Sequence, residues 1–115
     1  MHVYGIKNCN TVKKALDWLN GRRLEYEFHD YKTKGITEAR LKGWSRQVGW
    51  DDLINRRGTT WRQLDDKVKA GITNQASAIK LMMEKPTVIR RPLIEKDGKV
   101  ITLGFDEEGY AAHFG

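Results

Sequence analysis

Val3-Tyr4-Gly5-Ile6-Lys7-Asn8-Cys9-Asn10-Thr11-Val12-Lys13-Lys14-Ala15-Leu16 is the stretch from which the fold is read. It begins as a short apolar strand, Val3 to Ile6, and breaks at the polar pair Lys7-Asn8. Val12, Ala15, Leu16 and Leu19 then recur at the spacing of an amphipathic helix. Asn10 and Thr11 are residue types that cap helix N-termini, and Gly21 stands where a left-handed C-terminal cap is wanted. Cys9, the single cysteine, therefore falls between a strand end and a helix N-terminus. Unpaired N–H groups and aligned peptide dipoles put positive potential there, which favours a thiolate over a thiol. Lys7, Lys13 and Lys14 add charge nearby in sequence. A cysteine titrating near about 8.5 falls to roughly 3.5–7.5 in such surroundings. A lone cysteine can also be a small core hydrophobe; this placement favours the nucleophile.

Working outward, Glu25-Tyr26-Glu27-Phe28-His29-Asp30 alternates polar and apolar, the period of a half-buried strand. With the helix as crossover, it completes a β-α-β unit whose strands are parallel. His29 lies on the glutamate face and reads as a structural histidine. Lys32-Thr33-Lys34-Gly35 reads as a loop. Thr37 caps a second helix that buries Leu41, Trp44 and Val48 and stops at Gly49. Trp50 to Ile54 adds a turn and a short helical piece. Asn55-Arg56-Arg57-Gly58-Thr59-Thr60 is a turn that exposes arginines, with Thr60 as the next cap. Asp65 to Ala70 reads as helical. Thr73 opens a helix with Ile72, Ala76, Ile79 and Met83 on its buried face, Met82 and Met83 being core filler. Pro86 ends it.

The last third turns to β character. Thr87-Val88-Ile89 is one short run, followed by Arg90-Arg91-Pro92. Leu93–Lys96 and Lys99–Leu103 flank Asp97-Gly98, a strong hairpin signal. Asp106 caps a closing helix with Tyr110, Ala111 and Phe114. Strands are expected near 2–6, 25–29, 87–90, 93–96 and 99–103, with 25–29 at an edge beside 2–6. The fold class is α/β (α+β), thioredoxin-like: a small mixed sheet, a β-α-β unit, a helical insertion and a C-terminal β-β-α unit. The whole chain, 1–115, is expected to be one such domain, with the insertion at roughly 37–85. In this fold Pro92 is the position of a cis-proline facing the cysteine.

Composition bounds the function. The 115 residues, 39% hydrophobic, fit one modest core. The sequence has neither an apolar run long enough to cross a membrane nor a signal-peptide pattern. One cysteine allows no internal disulfide and fits a reducing, cytoplasmic setting. The net charge of +6 and pI of about 9.6 favour anionic partners. No groove-entering motif is present, so nucleic acid is not expected among them. No metal site is read, and a monomer is expected.

Three motifs in order, Gly5 to Thr11, Asn55 to Thr59 and Arg90-Arg91-Pro92-Leu93, resemble the thioredoxin-fold arsenate reductases with their Spx-type and YffB-like relatives. The YffB-like group matches best, and the likeness covers essentially the whole chain. It implies that Cys9 is the nucleophile, that Asn10 and Thr11 lie in the anion-binding turn, and that Arg91, beside Pro92, contacts an oxyanion or the bound cysteine. Arg56 or Arg57 matches a second such arginine. The reductases carry a histidine where this chain has Gly5 and a third arginine where it has Gly104, so arsenate reduction is expected to be weak or absent. Val12 stands where Spx-type regulators often carry a second cysteine, so Cys9 needs an outside thiol for turnover. No bound cofactor is expected. Glutathione is the expected co-substrate, or a glutaredoxin-type reductant the partner, and the substrate an anionic small molecule or a protein thiol. The competing reading is an Spx-like module that docks on the transcription machinery.

Overall fold

A computed structural model describes all residues, 1–115, and divides the chain into two compact units. One comprises Met1–Lys34 and Arg91–Gly115, the other Gly35–Arg90.

The first unit is built on a four-stranded sheet in the order β2-β1-β3-β4. Strand β1 is His2–Gly5, β2 is Glu27–Asp30, β3 is Leu93–Lys96 and β4 is Lys99–Leu103. The β1–β2 pair is parallel, with His2 opposite Glu27 and Gly5 opposite Asp30. The helix between them, α1 (Asn10–Gly21), is the crossover that parallel pairing requires. Strand β3 runs antiparallel to β1, and β4 antiparallel to β3. Asp97 and Gly98 turn that hairpin with φ of 53° and 78°, the left-handed pair that matches strand twist. Val3, Ala15, Leu19, Ile94 and Tyr110 form the core, joining one face of the sheet to α1 and the closing helix. Asp106 caps that helix by accepting the N–H of Gly109 at 2.8 Å. As the fold analogy implies, the Arg91–Pro92 bond is cis.

The second unit is helical. Helix α2 (Tyr31–Lys34) ends the first unit, and α3 (Glu38–Val48), α4 (Trp50–Leu53), α5 (Thr59–Arg62), α6 (Asp66–Ala70) and α7 (Gln75–Glu84) follow; α8 (Glu107–Phe114) is the closing helix. The helical unit buries Leu41, Trp44, Leu53, Ile54, Ala78, Ile79, Leu81, Met82, Val88 and Ile89. The stretch 37–85, expected as the helical insertion, falls inside this unit.

Several expectations are corrected. The strand expected at 87–90 does not form. Pro86–Val88 is a 3-10 turn, and Ile89 makes a lone bridge to Ile54. The β-type residues Val88 and Ile89 satisfy their backbone on residues 53–55: Asn55 N–H donates to Val88 O at 2.9 Å and Arg90 N–H to Leu53 O at 2.7 Å. Strand β2 lies two residues later at its start than expected. Lys32 to Lys34 form a single helical turn, halted at Gly35 with φ 68°. The left-handed residue after α1 is Arg23, φ 58°, and not Gly21, which is the last helical residue. Thr60 lies inside α5, its hydroxyl 2.7 Å from that of Thr87. The cap of α7 is Asn74, closed by a reciprocal pair with Ser77. Met83 and Ala76 turn outward, because α7 buries the Ala78, Ile79, Leu81 and Met82 side.

Candidate active site

Strand β1 delivers the chain into the turn Lys7-Asn8, and α1 leaves it at Asn10. Cys9 is itself the N-cap residue, with extended φ −121° and ψ 125°. Its carbonyl accepts the first helical bond, from Lys13 N–H at 2.9 Å. Asn10 and Thr11, read as caps from their residue type, are instead the first two residues of the helix, and both are exposed. A cap hydroxyl or carboxamide would have taken up the free N–H groups of the first turn. The thiol closes no capping bond, so those N–H groups remain for whatever charge develops on sulfur.

The half-buried thiol is pulled two ways. Burial raises its pKa. Against this act the backbone N–H of Val12, then the Arg91 guanidinium through a hydrogen bond and through its charge, then the N–H of Thr11; the result lies below the ordinary cysteine value. Desolvation and donors oppose each other here, and the donors win. Arg91 comes from the residue before cis-Pro92, at the entrance to β3. Pro92 O accepts the N–H of Gly104 at 2.8 Å, closing the far end of the hairpin beside it. The exposed Lys7, Lys13 and Lys14, expected to help, are not among the groups that shift Cys9.

Gly5 has a steric reason. A Cβ built on it would stand 2.9 Å from Cγ2 of the fully buried Val12. The two sites where this chain departs from its resemblance, Gly5 and Val12, thus fill each other's space. Gly104, the third departure, has φ 87°, a conformation that strains any side chain placed there.

Of the residues singled out from the sequence, Cys9, Thr11 and Arg91 are brought together. Arg56 and Arg57 belong to the helical unit. There the Arg56 guanidinium is engaged, paired with the Asp51 carboxylate and lying 5.1 Å from the Trp61 ring centroid. The Arg57 side chain is exposed, and only its backbone N–H is bonded, to Asn55 Oδ1 at 3.1 Å. Sequence reasoning missed Asp30, which ends β2, and Tyr31, which opens α2. Asp30 accepts the N–H of Lys7, and Arg91 acts electrostatically on the buried Tyr31. Only an acidic residue ending a strand beside the cysteine turn could have hinted at them. No cluster of His, Cys, Asp or Glu can hold a metal ion, and no helix is long and apolar enough to cross a membrane.

A parallel β-α-β unit, a hairpin entered through a cis-proline and a cysteine at the helix N-terminus define a thioredoxin-like fold. The model of the ArsC family matches residues 4–113, and the chain belongs to that family. It is 47% identical over 112 residues to an uncharacterized protein of Haemophilus influenzae, covering 97% of this chain and 96% of the relative. A solved structure of a YFFB protein is 42% identical, with TM-score 0.92 over 99% of this chain and 98% of the other. The solved arsenate reductase (ArsC) related protein of Brucella melitensis is 42% identical, with TM-score 0.79 over 98% and 92%. Global transcriptional regulators named Spx are more distant: one from Bacillus anthracis is 27% identical over 108 residues, 92% of this chain and 80% of the relative.

Proposed function

We propose that the protein is a one-cysteine thiol–disulfide reductase that works with glutathione. The observation that carries this reading is the set of donors around Cys9, the N–H groups of Val12 and Thr11 and the Arg91 guanidinium, which lower the thiol pKa against the effect of burial. The Cys9 thiolate attacks the glutathionyl sulfur of a mixed disulfide. A sulfur–sulfur bond forms to Cys9 while the old one breaks, and its electron pair leaves on the substrate thiolate, which takes a proton from water. A molecule of glutathione then attacks the Cys9 mixed disulfide, releasing oxidised glutathione and restoring the Cys9 thiolate. The substrate disulfide is reduced by two electrons and glutathione is oxidised. Arg91 suits both halves, since its planar fork stabilises the sulfur anion or grips a carboxylate of the tripeptide.

An outside thiol is required because the chain has no second cysteine. That requirement suits a reducing, cytoplasmic compartment, and a glutaredoxin-type protein could serve in place of free glutathione. Arsenate is a poor substrate in this reading. A Cβ on Gly5 would meet Val12, so that position of β1 offers no side chain to supplement Arg91. The test is mass spectrometry after exposure to oxidised glutathione: the wild type gains one glutathione, Cys9→Ser gains none, and an unmodified wild type would overturn the reading.

The kinship with Spx regulators supports a second reading, a module that docks on the transcription machinery. Stable, stoichiometric co-purification with RNA polymerase subunits would favour it over the enzyme.

A further inference from the structure

Asp30 is used twice. Its Oδ1 accepts the N–H of Lys32 at 2.8 Å, the second residue of α2. Its Oδ2 accepts the N–H of Lys7 at 3.3 Å, and Lys7 opens the turn that carries Cys9. Gly5 and Asp30 are register partners, so the carboxylate stands at the end of the sheet where that turn departs. The following residue, Tyr31, is 1% exposed and stacks on Tyr4 at 6.4 Å. Burial raises the pKa of its hydroxyl, and the charge of Arg91 opposes that rise. The end of β2 thus reaches both halves of the site, the turn behind the sulfur and the arginine beside it.

We propose that Asp30 is a positioning residue for Cys9: its carboxylate ties the Lys7-Asn8 turn to the end of β2, so that the sulfur stays aligned with the N–H groups of α1 and with Arg91. The proposal rests on the thiolate reading of Cys9 above. Charge and position predict opposite effects here. A carboxylate near a thiolate raises the thiol pKa by like-charge repulsion, so if Asp30 acted only as a charge, removing it would make Cys9 more acidic. If it holds the turn, removing it lets the donors drift and makes Cys9 less acidic. The other charged and titratable groups around Asp30 and the turn are Arg91, the buried Tyr4 and Tyr31, His29 beside them, Lys32, and the exposed Lys7, Lys13 and Lys14. All of them stay in place in the variants.

The experiment follows the pH dependence of Cys9 alkylation by iodoacetamide in the full chain, with circular dichroism alongside. Asp30→Ala removes both bonds. Asp30→Asn keeps one oxygen, which is expected to stay on Lys32, the shorter of the two bonds, and so to leave the Lys7 N–H without its acceptor. The midpoint is expected to rise in both, and alkylation of Asp30→Ala at neutral pH to slow about three- to tenfold, the worth of one net hydrogen bond. The rate at high pH is expected to match wild type. A midpoint that falls or stays put in a folded variant overturns the proposal, and if Asp30→Ala does not fold, Asp30→Asn decides alone. Alkylation needs no glutathione. A wild-type Cys9 that alkylates as an acidic thiol but never takes up glutathione would overturn the reductase reading and leave this one standing.

Discussion

The sheet unit and the helical unit are nearly equal in size and unlike in charge. The sheet unit, residues 1–34 and 91–115, has ten Lys and Arg against nine Asp and Glu, a net +1. The helical unit, residues 35–90, has eleven against six, a net +5. The candidate nucleophile lies in the nearly neutral unit, where one arginine and two backbone N–H groups act on it. Net charge therefore says little about the thiol: what lowers its pKa is direction and proximity, and what attracts an anionic partner is the sum over a surface. Aromatic residues divide in the same way. All four tyrosines are in the sheet unit and three of the four tryptophans in the helical unit.

The largest expected effect is the simplest. Cys9→Ser abolishes glutathionylation altogether, since Cys9 is the only thiol; any residual mass gain would move the chemistry elsewhere. Next comes Arg91→Ala. Losing a charge-assisted hydrogen bond of about 1.5–3 kcal/mol should slow neutral-pH alkylation of Cys9 ten- to a hundredfold and raise its midpoint. A change below twofold would assign the acidity to the backbone alone.

A smaller effect appears in alkali. Burial pushes Tyr110 up to about 12, with the nearby Thr102 side chain opposing it. Its neutral form is favoured by folding, so its contribution is complete below the unfolded value near 10 and is lost as pH rises toward 12. Stability should fall by about 2–3 kcal/mol across that window, and Tyr110→Phe should flatten the fall. Tyrosinate absorbance reads the sheet unit and tryptophan fluorescence mainly the helical one, so transitions that coincide would mean the two units melt together.

The smallest effect tests the charge contrast itself. Lys67→Gln, Lys80→Gln and Lys85→Gln together should weaken retention on a cation exchanger while leaving Cys9 alkylation within about twofold, as expected for exposed and screened charges. Lys13→Gln with Lys14→Gln should also leave Cys9 within about twofold. A larger shift in either would show that long-range charge tunes the thiol after all.

Local signals were legible where one short segment decides the outcome. Asp97-Gly98 turns the hairpin, Thr37 accepts from Arg40 N–H at 3.3 Å, and Asp106 caps α8. The β-α-β unit could be read from the alternation of β2 and the period of α1. What failed depends on partners distant in sequence. Val88 and Ile89 have strand chemistry, yet their backbone partners are at 53–55. Helix α7 is apolar on more than one side, so periodicity could not choose between Met83 and Met82. Cys9 was placed correctly between strand and helix, but the groups that act on its acidity are Arg91 and the N–H groups of Val12 and Thr11, and the lysines beside it in sequence are not among them. Asp30 escaped notice because its bond to Lys7 spans 23 residues.

The pairing of β1 with β3 joins segments far apart in sequence, which carries a consequence for folding. Val3 meets Ile94 across most of the chain, whereas β3 and β4 meet across a two-residue turn. Closing a long loop costs entropy that grows with the logarithm of its length, and contacts so distant in sequence slow folding. The intervening 56 residues of the helical unit change that reckoning. As an unfolded coil such a segment has a radius of gyration of about 22 Å, and as a compact body about 10 Å. In a chain that condensed residues 35–90 first, the two ends would come within easier reach, and the unit without the cysteine would then set how fast the cysteine's sheet can form.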